Sequence, residues 1–162
     1  TSMTIYDNVG TPRLLTMYFN KQADNVWQYH GLVEGSDAAG GKEGEFVEMA
    51  KGTLTFNNKG LLQEDKVDSS SFNFNEGAAP GQVIDFDFGK SIKDGGDGLQ
   101  ASTQYGSNSV VGRHGQDGSS AATVTSLSFN DDGTLDRFLV AKKSEPVIGR
   151  TTTEAISCLF RY

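Results

Sequence analysis

The sequence predicts an all-β fold: antiparallel strands forming a small twisted barrel- or sandwich-like domain with long loops. Three observations point there. Apolar residues recur with a period of two in several short stretches. Twenty Gly, with many Ser, Asn and Asp, supply turns between those stretches. Up to residue 135, no stretch shows a sustained 3.6-residue apolar period with capping signals.

In chain order, SMTIY (Ser2 to Tyr6) alternates, with Met3 and Ile5 on one face and Thr4 and Tyr6 on the other. DNVG (Asp7 to Gly10) turns the chain, and Pro12 fits a strand start, an edge or a turn. LLTMYF then sets Leu15, Met17 and Phe19 against Leu14, Thr16 and Tyr18. After the polar turn KQADN, VWQYHGLV places Trp27, Tyr29 and Val33 opposite Gln28 and His30. These three strands read as an antiparallel meander. Residues 34–45 lack apolar periodicity and are expected to form an exposed, mobile loop.

Strand structure is expected to resume near Phe46. GTLTF, the NNKG turn and Leu61 with Leu62 form a hairpin, and SFNF (Ser71 to Phe74) is a weaker strand. QVIDFDFG gives the clearest alternation, with Ile84, Phe86 and Phe88 inward and Val83, Asp85 and Asp87 outward. KDGGDG (Lys93 to Gly98) is a loop. Residues 99–120 are Gly- and Ser-rich, with a short strand suggested at Val110 and Val111. ATVTSLSF (Ala122 to Phe129) is a β-branched strand that closes through NDDG onto Thr134 and Leu135.

A chain of 162 residues with ten Phe, five Tyr and one Trp can build one sizeable core. Its formal charge is −7 without any concentration of Lys or Arg, which disfavours nucleic acid and anionic membrane as partners. Apolar runs fall far short of the roughly 20 residues that span a bilayer, and the start lacks a cleavable signal pattern. A soluble chain is therefore expected. The lone Cys158 excludes an internal disulfide.

TFNNKGLL (55–62) is echoed by SFNDDGTL (128–135), and both suit hairpin turns in which Asn or Asp bonds the backbone and Gly takes positive φ. The structural turn residues are thus Asp7, Gly10, Asn57, Gly60, Asp132 and Gly133. As a calcium loop the second copy would offer Ser128, Asn130 and Asp132 but Leu139 where the bidentate Glu must stand. The first would offer Thr55, Asn57 and Lys59, and an ammonium cannot ligate calcium. GGDGLQ (Gly95 to Gln100) approaches a calcium-binding nonapeptide repeat, but Gln100 replaces its Asp. His30, His114 and Cys158 have no zinc-like spacing, so neither metal nor cofactor is expected.

His114, Asp117 and Ser119 have the residue types of a triad, without the G-x-S-x-G elbow. Asp85 and Asp87 could imitate a glycosidase pair, although an alternating strand makes them simply its solvated face. Tyr18, Trp27 and Tyr29 could stack sugars, which supports an alternative reading as a secreted carbohydrate-binding or adhesin-like module. No catalytic residue is nominated, and an enzyme is not expected.

MTIYDNVGTPRLLTMYFNKQADNVWQYHG (Met3 to Gly31) resembles the opening of the outer β-domain of bacterial flagellar hook proteins. GTLTFNNKG resembles that family's G-x-L-x-F-N-x-x-G hairpin. STQYGSNSVV, GQDGSSAATVTSLSF and NDDGTL are similar to its Gln-Asp-Gly segment, strand and Asp-Asp-Gly-Thr turn. The resemblance covers residues 1–135. It implies a structural, non-enzymatic segment of the curved hook that passes motor torque to the filament. It also implies self-association in a helical assembly, a monomer when the segment is isolated, and export to the extracellular hook without a cleavable signal.

Two departures stand out. Ser119 follows Gly118 where the family commonly has an aromatic residue. Residues 136–162 do not continue as a hook protein, leaving open an altered reading frame, an artificial appendage or a genuine divergence. Within this divergent tail, Phe138 to Ala141 can complete the last hairpin, and TEAISCLF (153–160) fits either a strand or a short helix. Candidate contact regions are the acidic outer strand faces and the loops at 34–45 and 93–98.

Overall fold

The computed structural model describes residues 1–129 and 135–141. Among the described residues seven strands are formed: β1 (Ser2–Tyr6), β2 (Pro12–Ala23), β3 (Val26–Glu34), β4 (Phe46–Phe56), β5 (Leu62–Ser70), β6 (Ala122–Phe129) and β7 (Leu135–Ala141). The described residues contain no helix. The first five strands make one antiparallel meander in sequence order, curled as a half-barrel, and β6 pairs with β7 in a separate two-stranded sheet. The all-β expectation therefore holds, including Pro12 as the first residue of its strand.

Alternation on β1 to β4 decides what is buried. Ile5, Leu15, Met17, Trp27, Tyr29, Val33, Leu54 and Phe56 all enter the core on the sheet's inner face. Thr4, Leu14, Tyr18 and Gln28 fall on the opposite face, as the period of two requires. Bulges interrupt the ladder between Gly31 and Leu32 and between Lys51 and Gly52. These breaks increase local twist and so assist the curl.

Phe72, Phe74 and Phe88 close the open side of the half-barrel. Phe86 and Phe88 are near-parallel, with centroids 6.4 Å apart, and Tyr29 lies 4.9 Å from Phe88. Burying such rings contributes most of the apolar area in a core of this size, at about 1.5–3 kcal/mol per large side chain.

The segment 82–89 corrects the sequence reading in one respect. Its inward and outward residues are as the alternation predicts, with Phe88 buried and Val83 68 % exposed. Yet it joins no ladder strand. Side chain and loop bonds fix it instead: the Ser70 hydroxyl donates to the Ile84 carbonyl at 2.7 Å, and the Ser102 N–H donates to the Phe88 carbonyl at 2.7 Å.

Ser71 to Phe74 likewise forms only isolated bridges, Phe72 to Gln82 and Phe74 to Ala38. The ladder strand there is the more polar β5, which precedes it. Val110 and Val111 are exposed and lie outside the seven strands. Residues 34–45 are not wholly exposed either. Ala38 is buried, the Gly35 N–H reaches the Glu45 carbonyl at 2.7 Å, and the Ala39 N–H reaches the Asn73 carbonyl at 2.8 Å.

Candidate assembly surface

Two turns shape the ends of the sheet. At the β1–β2 connection, one Asp7 carboxylate oxygen accepts from the Val9 N–H at 3.0 Å and the Thr11 N–H at 2.8 Å. The Asp7 N–H donates to the Thr11 carbonyl, and the Gly10 N–H donates to the Asp7 carbonyl. At the β4–β5 connection Asn57 repeats this arrangement. Its side-chain oxygen accepts from Lys59 at 2.8 Å and Leu61 at 3.1 Å, while its backbone bonds Leu61 and Gly60.

Gly10 and Gly60 take φ of 79° and 77°. Asp7-x-x-Gly10 and Asn57-x-x-Gly60 are therefore one turn with two side chains, a carboxylate in one copy and an amide in the other. At Gly60 a Cβ would also sit 2.0 Å from the Gln104 carbonyl oxygen, so a second backbone packs where a side chain would be. Asp132 and Gly133 lie outside the described residues.

Arg13, which the sequence reading passed over, organises the end of the sheet near the first turn. Its side chain is only 3 % exposed. The guanidinium donates to Asp7 at 3.3 Å, to Asp37 at 2.8 Å, to the Asn75 carbonyl at 3.2 Å and to Glu76 at 3.2 Å. It also stands 5.6 Å from the centre of the Phe74 ring. Burial opposes the charge, but the bonds to Asp37 and Asp7 outweigh it and hold the pKa above the ordinary arginine value. A planar fork with five donors suits this many acceptors.

At the other end, the Trp27 indole N–H donates to the Gln104 side chain at 2.7 Å, and the Gln104 amide donates to Asn25 at 3.1 Å. Trp27 and Tyr29 are 7 % and 1 % exposed on the inner face, whereas Tyr18 is 51 % exposed on the outer face. The three aromatics do not form one platform, so the stacking geometry of the carbohydrate-binding alternative is not assembled.

Acidic groups gather on and beside β5. Burial pushes the Asp65 carboxyl up, with the negative charges of Asp94, Asp87 and Glu64 adding to it. Lys66 pulls Asp68 down through a hydrogen bond. Among the described residues no group of three or more His, Cys, Asp or Glu is placed to hold a metal ion. His114 and Asp117 line the mouth of an apolar cavity between β1–β2 and residues 84–88.

The outer face of the meander carries a different surface. Leu14, Tyr18 and Phe46 are 56 %, 51 % and 62 % exposed at outward positions of β2 and β4. His30 and Glu48 pair between them on β3 and β4. Apolar groups set singly among polar ones resemble the mixed composition of non-obligate protein contacts.

Residues 1–119 match the family model of the flagellar basal body protein FlaE D2 domain. No curated protein and no solved structure matches the chain.

Proposed function

We infer from the flagellar basal body protein FlaE D2 domain family, to which the chain belongs, a structural, non-enzymatic role in the extracellular flagellar hook. From that membership we propose that this domain works by packing its outer sheet face against neighbouring copies in the hook polymer. Such contacts let the curved hook carry torque while its subunits shift relative to one another. The observation that carries this reading is the placement of Leu14, Tyr18 and Phe46, exposed and apolar, on the solvent side of a rigid meander.

Small contacts of mixed polarity bind weakly and reform easily, as a bending tube requires. Loops 34–45 and 93–98 border the same domain and extend the contact region. The acting unit in this proposal is residues 1–135, with 136–162 a divergent tail. Isolated, the chain is monomeric, because contacts of this size hold only when repeated around a helix. Neither nucleic acid nor membrane is a partner, and export needs no cleavable signal.

The test uses hook polypeptide carrying this domain with Leu14→Lys and Tyr18→Lys. Normal secretion and strand content with shortened or straightened hooks is the expected outcome. Hooks of unchanged curvature and length would refute the contact face. Saturable quenching of Trp27 fluorescence by glycans would favour the carbohydrate-binding alternative instead.

A further inference from the structure

Between β1–β2 and the extended segment 84–88 lies an apolar cavity of about 400 Å³. Met3 and Ile5 on β1 and Ile84 and Phe86 on the facing segment wall it at alternate positions, and Met17 and Phe19 of β2 line it as well. Walls that repeat along two extended segments make the space long rather than round. Val111 and residues 114–117 supply the remaining wall, so this volume is what is left after the chain has covered the sheet. Its size falls in the range that holds a small ligand, and the two thioether side chains adapt readily to an apolar guest.

A second, mainly polar recess of about 340 Å³ adjoins the cavity beside Tyr6 and shares Ile84, Asp85 and Asp117 with it. Other polar groups of the recess are already engaged. Asp7 accepts from Val9, Thr11 and Arg13, while Asn8 and Gln82 bond each other and the Ala79 backbone. Asp85 and Asp117 are exposed and, among the described residues, make no ion pair. Two unneutralised carboxylates therefore stand where the apolar cavity meets the polar recess. The Thr1 ammonium is bound to the Met17 carbonyl at 2.9 Å, at the far end of β1 from Tyr6.

We propose that the two spaces form one binding site for an aliphatic amine, its alkyl chain in the apolar cavity and its ammonium head in the recess between Asp85 and Asp117. Each methylene removed from water favours the bound state. The head keeps its charge beside two opposite charges and remains in touch with solvent. A carboxylate head on the same chain meets like charge instead. The site opens on the inner side of the sheet, whereas Leu14, Tyr18 and Phe46 stand on the outer side, so ligand and neighbouring copies do not compete.

The test uses the full chain, which carries three Met. Met3 and Met17 line the cavity and Met49 does not, so spectra of methyl-labelled methionine contain their own control. Octylammonium chloride is titrated at about pH 8, where a histidine imidazole is uncharged. It is expected to shift the Met3 and Met17 methyl signals saturably and to leave Met49 in place. Octanoate is expected to bind at least about fivefold more weakly. Asp85→Asn combined with Asp117→Asn should bring the two ligands to within about twofold of each other. Absence of a saturable shift at Met3 and Met17, a shift of equal size at Met49, or equal binding of octanoate by the unsubstituted chain overturns the proposal. An amine preference that survives in the double variant also overturns it, because the head then lies elsewhere.

Discussion

Tyr29 and Gly52 stand opposite each other across β3 and β4, and the tyrosine ring fills the space where a residue 52 side chain would be. A Cβ at position 52 would lie 2.3 Å from the Tyr29 hydroxyl and 2.4 Å from both its Cζ and the Lys66 carbonyl oxygen. The glycine lets a buried aromatic lie flat against the ladder, filling a layer between Phe86, Phe88 and the sheet.

Gly52→Ala should therefore cost about 2–4 kcal/mol, since neither the ring nor the β5 backbone can retreat cheaply. Urea titration measures this. A loss under about 0.5 kcal/mol would show that the core is softer than argued.

The Tyr29 hydroxyl is buried with no hydrogen-bond partner, and burial, helped by Asp65 and Asp68, pushes its pKa up to about 12. A raised folded-state pKa stabilises the protein below the unfolded value of 10.0 and ceases to do so as pH rises toward about 12. The native state should thus lose up to about 3 kcal/mol across that window. Tyr29→Phe should be neutral or about 1 kcal/mol stabilising at pH 7 and should flatten that loss. Denaturation curves at pH 7 and pH 11 separate the outcomes; equal alkaline sensitivity in both proteins counts against this account.

Removing the Arg13 guanidinium leaves the buried Asp7 carboxylate facing an apolar side chain. Arg13→Met should cost about 3–5 kcal/mol, most of it the penalty of an unpaired charge. Arg13→Lys should recover only part, because one ammonium cannot reach Asp7, Asp37 and the Asn75 carbonyl together. Glu76→Gln should change stability by under about 0.5 kcal/mol, since its side chain is 72 % exposed. A harmless Arg13→Met, read by thermal melting, would remove the network from the stability argument.

The paired turns predict an asymmetric exchange. Asn57→Asp should be tolerated within about 0.5 kcal/mol, because Asp7 already performs the same bonding, while Asn57→Ala should cost about 1–2 kcal/mol. Asp7→Asn should cost more than Asn57→Asp gains or loses, because it also uncouples Arg13. Equal effects at both sites, measured by chemical denaturation, would contradict the distinction.

The legible part of the fold was the part governed by one-sided burial. Met3, Ile5, Leu15, Met17, Trp27 and Tyr29 declare their face by spacing alone. That same signal misplaced residues 82–89, because alternation reports which side chains are inside and says nothing of whether a neighbouring ladder exists. β5 was shortened in the sequence reading for the converse reason: LQEDKVDSS is an edge strand whose charges erase apolar periodicity. Arg13 was invisible because long-range pairing with Asp37 and Glu76 decides its burial, and residues 34–45 were read as free for the same cause. Alternation sets Leu14 and Tyr18 on the face opposite Leu15 and Met17, and the structure makes that face the outer one. The proposal that they belong to a contact surface rests on the family match.

The two borders of the main sheet differ in kind. β5 presents Glu64, Lys66 and Asp68 along its rim, whereas β1 reads SMTIY and bears no ionised side chain. Like carboxylates repel when brought edge to edge, so lateral growth stalls at the β5 rim. Crowded molecules therefore meet a charged barrier on the β5 side, which starves amyloid-like ribbons of a second growing tip.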